Sequence, residues 1–144
     1  MMNTDNIKKL YREVILTHDR QPVNFEKWEE APITLEAYNP ICGDRFNLYL
    51  DCQDGIIQKV RFHGYGCAIS KAATSVLVKR IEGKPVADIL RFCDQYLTLI
   101  DPEKPEPDYV DEELTAFMGA RQFPARRQCA SLSWETLEKY LKDT

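Results

Sequence analysis

Long apolar runs are missing from this chain, and no stretch approaches the roughly 18 consecutive apolar residues that a membrane-spanning helix needs. Its opening, MMNTDNIKKLYREV, is polar and helical in pattern and carries no apolar leader, which predicts a soluble cytoplasmic protein. Basic charge is in deficit, with 19 Lys and Arg against 23 Asp and Glu. No broad cationic face can be assembled from that balance, so nucleic acid is excluded as the main partner. Histidine is scarce: His63 lies on a strand with a polar partner face, and His18 follows the first helical stretch as a helix-terminal or surface group. Neither is expected to bind a metal. There is no internal repeat, no low-complexity tract and no CxxC pair.

What remains is a chain of 144 residues, 44% hydrophobic and 29% charged, enough for one buried core and globular in composition. Ile7, Leu10, Tyr11, Val14 and Ile15 recur at helical spacing and predict an amphipathic helix over 4–17. HDRQPVNFEKWEEAP has no period and reads as a connector. In RFNLYLDC, Phe46, Leu48, Leu50 and Cys52 alternate with polar positions, and IIQKVRFHG returns with Ile56, Val60 and Phe62 on one face. The Asp54-Gly55 turn between them marks a β-hairpin, and ITLEAY adds a third strand. One apolar stripe runs from Ile69 to Ile81, closed by Gly83 and Pro85, and a second from Val86 to Ile100. DPEKPEPDY is a loop, Leu114, Phe117 and Met118 suggest a short helix, and a final helix is expected to start near Ser131 or Ser133. Strands followed by helices make an α+β domain: a three-stranded antiparallel sheet with several helices packed on it.

The five cysteines are odd in number, in a chain that is not small and shows no export signal, so a disulfide framework is not expected. Cys52 and Cys93 occupy apolar positions of a strand and a helix, as packing residues do. The other three sit at turns or element boundaries. Cys42 lies in NPICGD, one glycine away from Asp44. Cys67 follows Gly64-Tyr65-Gly66 and precedes a helix, and Cys129 follows Arg126-Arg127 near the expected helix start. Helix dipoles and the arginines are expected to lower the pKa of all three thiols. Cys42 and Asp44 can face one ion, and Cys67 and Cys129 would complete a Cys₃Asp tetrahedron. Spacing alone leaves both a metal site and scattered structural cysteines open.

NPICGD (39–44), GYGCAIS (64–70) and FPARRQCASLSW (123–134) together resemble the U-type iron–sulfur cluster assembly proteins, over nearly the whole chain and in order. Within them the chain is similar to the SufU branch. It has Gln128 where IscU scaffolds carry a histidine, FPARR in place of their chaperone motif, and a longer interval from Cys67 to Cys129. The resemblance implies that residues 1–144 are one U-type domain. It implies Cys42, Asp44, Cys67 and Cys129 as Zn²⁺ ligands, with Arg126 behind them offsetting part of their charge. It further implies that Cys42 accepts persulfide sulfur from a SufS-type cysteine desulfurase and passes it to the SufBCD scaffold. A site with four protein ligands is closed to water, so hydrolytic zinc chemistry is not expected and Cys42 must leave the metal to react. An imidazole from the desulfurase is expected to take its place. Two other readings stay open: a scaffold for a transient [2Fe–2S] cluster, and a structural zinc module that only docks partners.

Overall fold

The computed structural model describes residues 4–106 and 111–144. Its order is α1 (Thr4–Arg20), β1 (Ile33–Tyr38), β2 (Arg45–Gln53), β3 (Ile56–Tyr65), α2 (Ala68–Ile81), α3 (Val86–Ile100), α4 (Glu112–Thr115), a 3₁₀ segment (Ala116–Gln122) and α5 (Pro124–Lys142). The three strands form one antiparallel sheet in the order β1-β2-β3, so the expected α+β arrangement of hairpin plus third strand is the observed one. Asp54 and Gly55 both take positive φ, as the tight turn of a two-residue hairpin requires. Residues 107–109 of the expected 101–109 loop lie outside the described residues.

The hairpin departs from simple alternation at one place. A bulge between Asp51 and Cys52 shifts the register, so that Val60 faces Leu50 while Ile57 faces Cys52. One extra residue on one strand re-aims the side chains beyond it. Ile57, and not Ile56, is therefore the buried position, and Cys52 is only half-buried. Tyr49, expected on the polar face, is buried as well.

Helix α2 is the centre of the molecule: it packs on β3 and is flanked by α1 and α5. Its apolar stripe is buried, and so are Ser70, Thr74 and Ser75. Thr74 bonds to the Ser70 carbonyl at 2.9 Å and to the Ser133 hydroxyl at 2.6 Å, which satisfies both hydroxyls inside the α2–α5 contact. Ser75 Oγ meets His18 Nδ1 at 2.7 Å and accepts from Val23 N–H at 2.8 Å. His18 ends α1, as the sequence suggests, yet it is buried and bridges α2 to Glu113 rather than facing solvent. Trp134 of α5 donates to the Ala73 carbonyl at 3.0 Å and stacks on Tyr96 of α3 at 3.9 Å, which fixes α5 across α2 and α3.

α5 begins at Pro124, well before the serines expected to start it. Phe123 is extended, as a residue before proline prefers, and proline fits the first helical position because no N–H is needed there. Ser131 and Ser133 lie inside the helix; Ser131 bonds the Gln128 carbonyl at 3.3 Å. Cys129 is thus a mid-helix residue, one turn past the N-terminus rather than ahead of it.

A candidate metal centre at three chain junctions

Each candidate ligand is placed by a different local device. Between β1 and β2 the chain closes a tight loop, with Gly43 N–H on the Asn39 carbonyl at 2.8 Å and Asn39 N–H on the Asp44 carbonyl at 2.9 Å. Ile41 N–H bonds the Asn39 side chain at 3.0 Å, an Asx turn, and Gly43 takes φ +79°. The loop leaves Cys42 exposed and turns Asp44 inward, to 3% exposure.

Cys67 is the N-cap of α2, its Sγ accepting from Ser70 N–H at 3.4 Å. The glycines before it permit close approach. A Cβ on Gly64 would collide with the Arg45 carbonyl, and one on Gly66 would stand 2.8 Å from both Asp44 Oδ1 and Phe46 Cε2. Cys129 comes from α5, on the side of the helix that is buried.

These junctions converge. One ligand atom each from Cys42, Asp44 and Cys129 lie within 4.8 Å of one another. Cys67 also meets Asp44: its backbone N–H donates to Asp44 Oδ1 at 3.0 Å, and its Sγ lies 3.8 Å from Oδ2. Ligand atoms around a tetrahedral zinc stand roughly 3.5–3.8 Å apart, from bond lengths of ~2.0–2.3 Å. The Asp44–Cys67 pair already has that spacing, and Cys42, Asp44 and Cys129 need to close by about 1 Å or less among themselves, while Cys67 is not part of that three-residue group.

The charge arrangement asks for a cation. Asp44 is a buried carboxylate, and among the described residues no lysine, arginine or histidine pairs with it. Cys129 is pushed well above the ordinary thiol range, first by burial and then by Cys67, Asp44 and Cys42 beside it. The lowering expected for this thiol is therefore reversed. Its helix terminus is a turn away, and its nearest charged neighbours are themselves anionic. Three thiolates and a buried carboxylate would repel one another without a cation among them, and soft sulfur donors suit zinc or iron.

Arg126 is exposed, and its charge acts on Tyr11 of α1. Arg127 turns the other way, to Asp101 at 3.6 Å. His63 packs its ring on Phe25, with centroids 4.7 Å apart, and takes no part in the cluster. Cys93 is buried under α5 and held protonated, pushed up to about 12 mainly by burial. Two features escaped the sequence reading. Tyr11 was visible as a member of the α1 stripe, but nothing in the stripe says where its hydroxyl goes. Ile41, Tyr65 and Phe123 are 85%, 65% and 51% exposed, each on one of the chain junctions that carry the thiols.

Residues 10–130 match the NifU-like N-terminal domain. The chain is 33% identical over 134 residues to the zinc-dependent sulfurtransferase SufU of Bacillus subtilis, covering 93% of this chain and 90% of that protein. It is 31% identical over 135 residues to the iron–sulfur cluster assembly scaffold protein IscU of Thermotoga maritima, covering 94% of each. The structure superposes with a TM-score of 0.82 on the putative iron–sulfur cluster assembly scaffold protein for the SUF system from Fervidobacterium islandicum AW-1. That pair is 31% identical, with 92% of this chain and 97% of the other covered. No helix among the described residues is long and apolar enough to cross a membrane. On the span matched and the likeness to SufU and IscU, the chain belongs to the NifU-like N-terminal domain family.

Proposed function

We propose that this protein is a zinc-dependent sulfur-transfer protein of iron–sulfur cluster assembly, with Zn²⁺ held by Cys42, Asp44, Cys67 and Cys129. The observation that carries the reading is the buried Asp44 carboxylate, surrounded by thiols and lacking a cationic partner among the described residues. When bound, zinc keeps its sulfur ligands as thiolates at neutral pH and brings no redox chemistry of its own.

The chain's own residues divide the work. Asp44 is anchored by Cys67 N–H, and Cys67 by its cap position, so these two form the fixed side of the site. Cys129 is fixed by α5. Cys42 alone is exposed, on a loop closed by a few backbone bonds, and is the thiol a partner can reach. Its thiolate attacks the outer sulfur of a persulfide on a cysteine desulfurase of SufS type. The Cys42 electron pair forms the new S–S bond, the partner's S–S bond breaks, and its pair returns to the partner as thiolate. One sulfur atom moves, and neither oxidant nor reductant is consumed. A second exchange of the same kind delivers the sulfur to a scaffold of SufBCD type.

The test is metal analysis of anaerobically purified protein, followed by mass measurement after incubation with a SufS-type desulfurase and cysteine. The expected result is about one zinc per chain, a gain of one sulfur on the wild type, and none on folded Cys42→Ser. Iron with labile sulfide and a visible absorption band would replace this reading with that of a [2Fe–2S] scaffold. Undiminished sulfur uptake by Cys42→Ser would remove Cys42 from its role.

A further inference from the structure

The two edges of the sheet differ. On β3 the outer backbone groups are met by other parts of the chain. Phe62 N–H donates to the Asn24 carbonyl at 3.1 Å, and the Phe62 carbonyl accepts from Glu26 N–H at 2.9 Å. Val60 N–H donates to the Glu82 carboxylate at 3.0 Å, and the Val60 carbonyl accepts from the Asn24 side chain at 3.2 Å. Ile57 is held in the same way by Gly83 N–H and the Lys84 carbonyl. β1 is the other edge, and among the described residues no strand lies beyond it. Asn39 N–H points inward, to the Asp44 carbonyl at 2.9 Å, so by alternation the backbone groups of Thr34, Glu36 and Tyr38 point outward. Among the described residues no hydrogen bond answers them.

We propose that β1 is a docking edge for an extended segment of another protein, which adds to the sheet as a fourth, antiparallel strand. The edge itself says what that segment carries. Ile33 and Leu35 are half-buried, whereas Leu50 and Leu48, opposite them on β2, are wholly buried. An apolar strip over α5 therefore stops at the open edge, where every second side chain of an added strand would cover it. Glu36 is exposed on the other face, where it meets the residue directly across from it. Beyond Tyr38 the edge opens into a groove of about 580 Å³ lined by Pro40, Leu97 and Leu132. There Arg127 is taken up by Asp101, which leaves Glu103 and Glu135 against Lys104. The segment is thus apolar on its helix side and basic on the other. The usual guards of an exposed edge are lacking, since Ile33–Tyr38 holds no lysine, no proline and no bulge against β2. A second copy of this chain fits less well, because it brings its own Glu36 and a net charge of −4 to an acidic edge. β1 runs straight into the loop that carries Cys42, and the proposal holds with or without a metal there.

The probe is a short peptide of alternating lysine and valine with blocked ends, added to the full chain. At saturation it is expected to slow hydrogen exchange of the Thr34, Glu36 and Tyr38 amides about tenfold or more. The Leu35 and Ala37 amides, already turned to β2, are expected to change little. In antiparallel pairing the lysine N–H groups of the peptide face β1 and the valine N–H groups face away. N-methylation of the lysines is therefore expected to weaken binding about tenfold or more, and N-methylation of the valines to leave it unchanged. Glu36→Lys, a change at an exposed position, is expected to weaken the lysine–valine peptide about fivefold and to strengthen a glutamate–valine one. A lysine–valine peptide that fails to bind, that protects amides elsewhere, or that binds equally with either set of nitrogens methylated overturns the proposal. So does concentration-dependent dimerisation with the same three amides protected and no peptide present, which gives the edge to a second copy. Should Glu36→Lys not fold, exchange and methylation measured on the wild type decide alone.

Discussion

Asp44 and Cys67 meet twice: the backbone N–H of Cys67 donates to Asp44 Oδ1 at 3.0 Å, and the Cys67 sulfur lies 3.8 Å from Oδ2. One carboxylate therefore ties the loop after β1 to the start of α2 and also belongs to the cluster of sulfurs. Asp44→Ala should lower zinc affinity by at least about tenfold, since it removes a ligand and the group that orients another. Asp44→Asn keeps an acceptor for Cys67 N–H and should retain the metal-free fold better than the alanine variant. Chelator competition and thermal unfolding of both variants separate ligand loss from loss of the tie.

Gly66 is required for space and Gly43 for backbone conformation. Gly66→Ala puts a methyl 2.8 Å from Asp44 Oδ1 and Phe46 Cε2, in a region that cannot give way without moving the carboxylate. A destabilisation of about 1–3 kcal/mol is expected, together with loss of metal. Gly43→Ala meets nothing within 4 Å but must hold φ +79°, at about 1–2 kcal/mol. Denaturant unfolding and metal content on the pair should show both variants weakened and Gly66→Ala the more depleted in metal.

Glu113 gives the fold an acid-labile element. Burial alone would raise its pKa. Hydrogen bonds from His18 and Lys79, with the charges of Lys79 and Arg80, bring it from 4.5 to about 2. A carboxyl depressed in the folded state contributes stability above its unfolded pKa and loses it as pH falls through the folded one. The loss should run from about pH 4.5 down to 2, worth on the order of 2–3 kcal/mol. Glu113→Gln should be less stable at neutral pH and show a flatter acid limb in unfolding midpoint against pH.

Ile41 neighbours Cys42 and is an apolar side chain left 85% exposed. If a desulfurase reaches Cys42, it covers Ile41. Ile41→Asp should leave zinc content and folding stability within about 0.5 kcal/mol of the wild type. It should also weaken desulfurase activation about tenfold in apparent affinity, roughly 1.4 kcal/mol. Activation titrated with each form of the chain checks this; equal titration curves would show that the partner docks elsewhere.

The parts that sequence alone determined are those written in local pattern. Alternation and Asp54-Gly55 specify the hairpin, the stripe from Ile69 to Ile81 specifies α2, the glycines before Cys67 mark close approach, and Gly43 after Cys42 marks a turn. Each depends on a few neighbouring residues, through period, turn chemistry or the absence of a Cβ. Tertiary structure decided what depends on residues far apart in the chain. The bulge put Ile57 rather than Ile56 in the core. Packing of Trp134 and Ser133 against α2 holds serines that could have capped a helix inside one that starts at Pro124. Burial among Cys42, Asp44 and Cys67 raised the Cys129 pKa that its neighbouring arginines had suggested would fall. The buried hydroxyl of Tyr11 belongs to the same class. Hydrophobic period tells which side of a helix faces inward, but desolvation and charge are sums over everything that arrives there, and only the folded chain brings those groups together.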